Sequence, residues 1–223
     1  MERYASTQRG GWAVVSHRST EEAGERAGAV ADGFDDFRVL LVCTANLCRS
    51  PMGQFLLDTA VSAAWAGHGR WIVGSAGVLA ADNRPMHRRA AKVLADHGID
   101  GSRFRSRRLR PSLLESADLV LTATRDHRAE AARLHPPVLR KLFTVNQFAY
   151  LLAHSPVPPP AQTAAEAGRS LIDAAVAARG RVQARTVEDD LADPVDRPLR
   201  AFRECAQILS RDVAQFQRLL AQP

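Results

Sequence analysis

Short apolar runs alternate with amphipathic stretches along most of this chain. The run FRVLLVC (37–43) is almost purely apolar and partly β-branched, which predicts a buried strand. RWIVGSAG (70–77), ADLVLTAT (117–124) and the shorter RKLFTV (140–145) predict three more. Between them the spacing turns helical. SPMGQFLLDTAVSAAW starts with Ser50 as a cap and Pro51 in the first turn, and brings Phe55, Leu56, Ala60 and Ala63 near one face. RPMHRRAAKVLADHGI is a helix closed by Gly98, and RDHRAEAARLH is one stopped by Pro136 and Pro137. NQFAYLLAH begins another helix. Strands alternating with helices predict an α/β fold, a parallel sheet with helices on both faces.

The flanks read differently. Residues 1–36 are rich in Gly, Ser, Glu and Arg and are expected to form a mobile N-terminal tail, with helical character around 20–31. SPVPPPAQ (155–162) is a stiff connector, followed by an Ala-rich helix over Thr163–Arg179 and the acidic loop TVEDDLADPVDRP. The last segment, LRAFRECAQILSRDVAQFQRLL, repeats its apolar residues at helical spacing. No internal repeat or second core is visible. The expectation is one domain over 37–223 with a Pro/Ala-rich insertion at about 155–187.

Composition narrows the class. With 223 residues, 46% of them hydrophobic, a sizeable core is within reach. The net charge is +6, but 28 of the 30 basic residues are Arg, and alanine is abundant. That bias fits GC-rich coding, so the charge counts only as a weak preference for anionic substrates and not as a sign of nucleic-acid binding. Three cysteines, Cys43, Cys48 and Cys205, make no disulfide framework. No stretch is apolar enough to span a membrane, and the N-terminus lacks a secretory pattern. A reducing cytoplasm follows as the expected location.

The chemistry concentrates where the first strand ends. Cys43 leads into the loop Thr44, Ala45, Asn46, Leu47, Cys48, then Arg49 and Ser50 at the start of a helix. In open α/β sheets ligands bind at that edge. Free main-chain N–H groups and the helix dipole there form a nest for a phosphate-like group. The same surroundings favour a thiolate nucleophile at Cys43. Arg49 carries the planar fork that matches two phosphate oxygens. Ser50 can donate to the sulfur, and Asn46 suits a left-handed backbone position. A proton donor for the leaving group is still required. Glu188, Asp189, Asp190, Asp193 and Asp196 are candidates, and spacing does not choose among them.

VCTANLCRSP resembles the signature of the low-molecular-weight protein tyrosine phosphatases, usually Cys-x-Gly-Asn-x-Cys-Arg-Ser-Pro. GSAG, HGIDGSRFRSRRL, ADLVLTA and a late DP follow in the family's order, so the likeness covers about 37–220 apart from the Pro/Ala-rich stretch. It implies a four-stranded parallel sheet, flavodoxin-like, and a metal- and cofactor-free phosphomonoesterase working through a cysteinyl-phosphate. It makes Cys43 the nucleophile, Arg49 the clamp, Ser50 the thiolate partner and Asp193 the general acid/base. It also implies a phosphorylated protein as substrate, phosphotyrosine by default, and Cys48 as a redox partner of Cys43. Cys205 and the scattered histidines are read as core or surface residues.

The departures matter too. Ala45 replaces a loop glycine, which costs about 1 kcal/mol if that position needs a positive φ. Phe104 stands where a loop-supporting histidine is usual. Val195 and Ala81 occupy places where the family has aromatic walls, which leaves room for a smaller or more polar phosphoester. Two other readings stay open: an arsenate reductase using an external thiol, and a weakly catalytic phosphate- or phosphoprotein-binding module.

Overall fold

A computed structural model describes residues 35–61, 69–182 and 189–220. Four strands form one parallel sheet in the order β2-β1-β3-β4: β1 (Phe37–Cys43), β2 (Trp71–Gly77), β3 (Leu119–Thr122) and β4 (Leu142–Thr144). The helices are α1 (Arg49–Val61), α2 (Arg88–Asp96), α3 (Pro111–Ser116), α4 (Arg125–Leu134), α5 (Val145–Ala153), α6 (Ala164–Arg179) and α7 (Leu199–Leu220).

The two-residue period of a strand divides the core. Phe37, Val39, Leu41 and Cys43 join one apolar cluster with residues of α1, α2, α5, α6 and α7, whereas Leu40 and Val42 join a smaller one with α3 and α4. Both faces of β1 are therefore buried, which is why its sequence is apolar without alternation.

Two local features differ from the expected pattern. PSLLES forms α3, with Pro111 in its first turn. Pro136 and Pro137 do not only stop α4; they open a 3-10 turn, Pro136–Lys141, that takes Arg140 and Lys141 out of β4. The Ala-rich helix is α6, capped by Thr163 Oγ1 accepting from Glu166 N at 3.2 Å. It lies flat on the main core. A Cβ at Gly168 would come within 2.3 Å of the Phe37 ring, so only glycine allows this approach. Asp35 O accepts from Ala165 N at 2.9 Å, and Asp36 pairs with Arg70, so both residues are tied to the domain. The expected tail up to residue 34, its helix around 20–31 and Glu188 lie outside the described residues. Among the described residues no helix is long and apolar enough to cross a membrane.

Candidate active site

The site is built on the sheet edge that follows β1. Cys43 ends the strand and Arg49 begins α1, so five residues make the whole turn. Side chains 43, 46 and 48 point into the protein, Thr44 and Leu47 are half-buried, and Ala45 is exposed. Asn46 takes the left-handed conformation, φ 55°, and Ala45 does not, so the alanine in place of glycine carries no backbone strain. The main-chain N–H groups of residues 44–48 donate to no group among the described residues. The first turn of α1 contains no acidic side chain. Together they leave a ring of donors at a positive helix end, the arrangement that holds a tetrahedral anion.

A buried polar network fixes this turn, and its donors have one consistent order. Ser75 Oγ donates to Gln54 Oε1 at 2.6 Å. Ser75 therefore accepts from Asn46 Nδ2 at 2.9 Å, and the second Nδ2 proton goes to Ser50 Oγ at 2.9 Å. The Ser50 hydroxyl proton is left for Cys43 Sγ, 2.9 Å away, or for Ala76 O at 3.3 Å. Asn46 Oδ1 closes the system by accepting from Arg107 N at 2.9 Å. Glycine is required at Gly77: a Cβ there would lie 2.5 Å from Thr44 O and 2.7 Å from Asn46 N. The GSAG motif is thus a wall against which the turn is pressed.

Arg49 is buried and divides its donors. Nη1 donates to Leu191 O at 3.1 Å, and Nη2 to Thr44 Oγ1 at 3.3 Å and to the Asp193 carboxylate. Nε is buried without a partner. Asp193 is half exposed, and its Oδ1 also accepts from Val195 N at 3.1 Å. The other acidic candidates go elsewhere. Asp190 binds the main chain and guanidinium of Arg125, Asp189 is buried, and Asp196 is exposed at φ 60°. A cavity of about 580 Å³ between α5 and α7 is lined in part by Asp189 and Asp190. None of Cys43, Arg49 or Asp193 lines it.

His127 is the participant that sequence reasoning placed among surface or core residues. Its Nε2 lies 2.9 Å from Thr44 Oγ1 and its Nδ1 2.6 Å from Thr124 Oγ1. Burial, and then the Arg49 charge, hold this imidazole below its ordinary pKa, so it is neutral at pH 7. Ser75, Gln54 and Arg107 were missed as well. Their signal was only polar residues within a buried strand and helix. Phe104 packs against Phe55 at 6.3 Å between ring centroids and gives the turn no hydrogen bond; Asn46, Ser75 and Arg107 supply that support. Cys48 is buried, and burial first, then Cys43, pushes its thiol up to about 12. Cys205 is buried in the core and likewise pushed up to about 12 by burial.

A thiol on a ring of free amides, with a buried arginine at the rim, defines the class: a phosphatase that uses cysteine. Comparison with known proteins agrees. Residues 38–180 match the family model for low molecular weight phosphotyrosine protein phosphatase, and the chain belongs to that family. It is 36% identical over 109 residues to a probable low molecular weight protein-tyrosine-phosphatase, EpsP, of Ralstonia solanacearum, covering 49% of this chain and 70% of that one. It is 35% identical over 112 residues to a protein-arginine-phosphatase of Geobacillus stearothermophilus, covering 50% and 71%. The crystal structure of a low molecular weight protein tyrosine phosphatase from T. tengcongensis superposes with a TM-score of 0.58 at 29% identity, over 81% of this chain and 97% of that one. The protein is accordingly a cysteine-dependent phosphatase with the four-stranded α/β fold of that family.

Proposed function

We propose that this chain hydrolyses phosphomonoesters on proteins, phosphotyrosine being the family default, with Cys43 as nucleophile, Arg49 as clamp and Asp193 as acid and base. The observation that carries the assignment is the Arg49–Asp193 pair beside the Cys43–Ser50 contact. An entering phosphate group takes the free amides of the turn. It also takes the unpartnered Nε and the Nη2 of Arg49, displacing Asp193. The sulfur attacks phosphorus, the ester P–O bond breaks, and Asp193 protonates the leaving oxygen. Charge spreads over the three equatorial oxygens, which the amides and Arg49 hold. In the second step Asp193 takes a proton from water, and the water oxygen attacks phosphorus. The S–P bond breaks as Ser50 donates to the departing thiolate.

The walls of the site are aliphatic. Leu79 N donates to Thr44 O at 2.9 Å, which places this exposed leucine beside the turn, and exposed Val195 lies two residues after Asp193, its N donating to Asp193 Oδ1. A phenyl ring would meet Leu79 and Val195 and would lack aromatic stacking, worth about 0.5–1.5 kcal/mol per wall. The free, buried thiols suit a reducing cytoplasm.

An assay with a generic aryl phosphate in EDTA tests the proposal. Turnover should persist without metal, vanish in Cys43→Ser and fall about 10²- to 10³-fold in Arg49→Ala. Turnover retained by Cys43→Ser, or stopped by chelation, would refute it.

A further inference from the structure

The chain's entire net charge resides in one segment. Residues 82–110 carry nine Arg and Lys side chains against three Asp, an excess equal to the +6 of the whole protein, so the remainder is balanced.

The fold brings the two ends of this segment, around 82–88 and 106–108, beside the catalytic turn. The strand order β2-β1-β3-β4 sets the turn after β1 between the loops after β2 and β3, and Leu191 N donating to Ala123 O at 2.8 Å brings the Asp193 loop to the β3 side. The stretches around 81–84 and 106 are stitched together by Asn83 N to Ser106 O at 2.7 Å, Ser106 N to Arg84 O at 2.8 Å, and Ser106 Oγ to Ala81 O at 2.6 Å. They abut the catalytic turn through His87 N to Leu47 O at 3.0 Å and Arg107 N to Asn46 Oδ1 at 2.9 Å. Arg110 pairs with Asp82, and Lys92 with Asp96. Exposed Arg84, Arg88 and Arg108 form no side-chain hydrogen bond or ion pair among the described residues. Across the mouth of the site Asp190 is neutralised by Arg125 and Asp193 by Arg49, so the unpaired charge at the mouth lies on the arginine side.

We propose that this arginine rim docks an acidic segment of the substrate protein, carboxylate side chains on one flank of the phosphorylated residue. The inference rests on the phosphatase reading of the Cys43 turn. Guanidinium forks fit carboxylates, and a one-signed rim steers an anionic partner toward the turn.

The test uses the full chain and matched phosphotyrosyl peptides with acidic residues on the N-terminal flank, on the C-terminal flank, with neutral flanks and with lysine flanks. A small aryl phosphate is followed in parallel. One of the two acidic peptides should exceed the lysine peptide about tenfold in kcat/KM at low salt, through KM, with the difference gone near 0.5 M salt. Arg84→Gln/Arg88→Gln/Arg108→Gln should lower kcat/KM for that peptide about tenfold and leave the aryl phosphate within about twofold. Binding of the same peptides to Cys43→Ser protein reads the rim even if turnover fails, so failure of the catalytic reading is seen separately. Equal kinetics and binding across the peptides would overturn the proposal. So would equal losses on peptide and aryl phosphate, or tighter capture of single-stranded RNA by the same arginines.

Discussion

The turn over residues 43–50 and the loop over 189–196 meet at Arg49, yet they are built in opposite ways. The first is buried and held by an ordered chain of hydrogen bonds running Gln54–Ser75–Asn46–Ser50–Cys43. The second is anchored at its start, where Asp190 holds Arg125 and the buried Leu191 donates its N to Ala123 O at 2.8 Å and accepts from Arg49. Two residues on, Asp193 is 41% exposed and shares the guanidinium that the phosphate needs. A site for phosphoryl transfer needs both qualities. Donors that stabilise the transition state must be in place beforehand, and the carboxyl that serves the leaving group must be able to change partners.

Removing the movable partner should have the largest effect. Asp193→Asn keeps the size but loses the proton transfer, so kcat for a poor leaving group should fall about 10²- to 10⁴-fold. The loss should be smaller for a good leaving group, and an equal loss for both would assign Asp193 to binding instead. Next comes the rigid side. Asn46→Ala strands three partners, two of them buried, and forces alanine to φ 55°, so it should destabilise the fold by about 1–3 kcal/mol in urea unfolding and lower activity as well. An unchanged midpoint would mean that the turn is not held by this network.

Thiol chemistry sharpens the contrast further. Cys48 and Cys205, both raised to about 12, stay neutral at pH 7–9. Brief iodoacetamide treatment of the native protein should label Cys43 and spare these two, and peptide mapping checks it. The smallest effect concerns His127. Its folded pKa is depressed, so the unfolded chain takes up the proton first as pH falls below about 6.5, and native stability declines there. His127→Gln should lessen that acid-side decline measured between pH 7 and 5. An identical decline would exclude His127 as its source.

Much of this was readable from the sequence. The strand ending at Cys43, the left-handed Asn46 and the Ala-rich helix α6 all follow from local rules, because each depends on near neighbours; Ser50, read as a cap, instead sits within α1 with its hydroxyl on Cys43 and Asn46. The choice of Asp193 came from family likeness, because a contact across 144 residues leaves no local trace. His127 and Ser75 were hidden for the same reason, since the sheet and not the sequence brings them to the turn. The arginine excess was visible as a total, but its meaning lies in where the fold collects it.

The central claim is a covalent phosphoryl group on Cys43. Rapid acid quench of Asp193→Asn with an aryl phosphate carrying a good leaving group, followed by peptide mass spectrometry, reads it directly. The account predicts a phosphoryl adduct on the peptide bearing Cys43, absent from a protein also carrying Cys43→Ser. An adduct on another residue, or turnover with no adduct at any quench time, would contradict it.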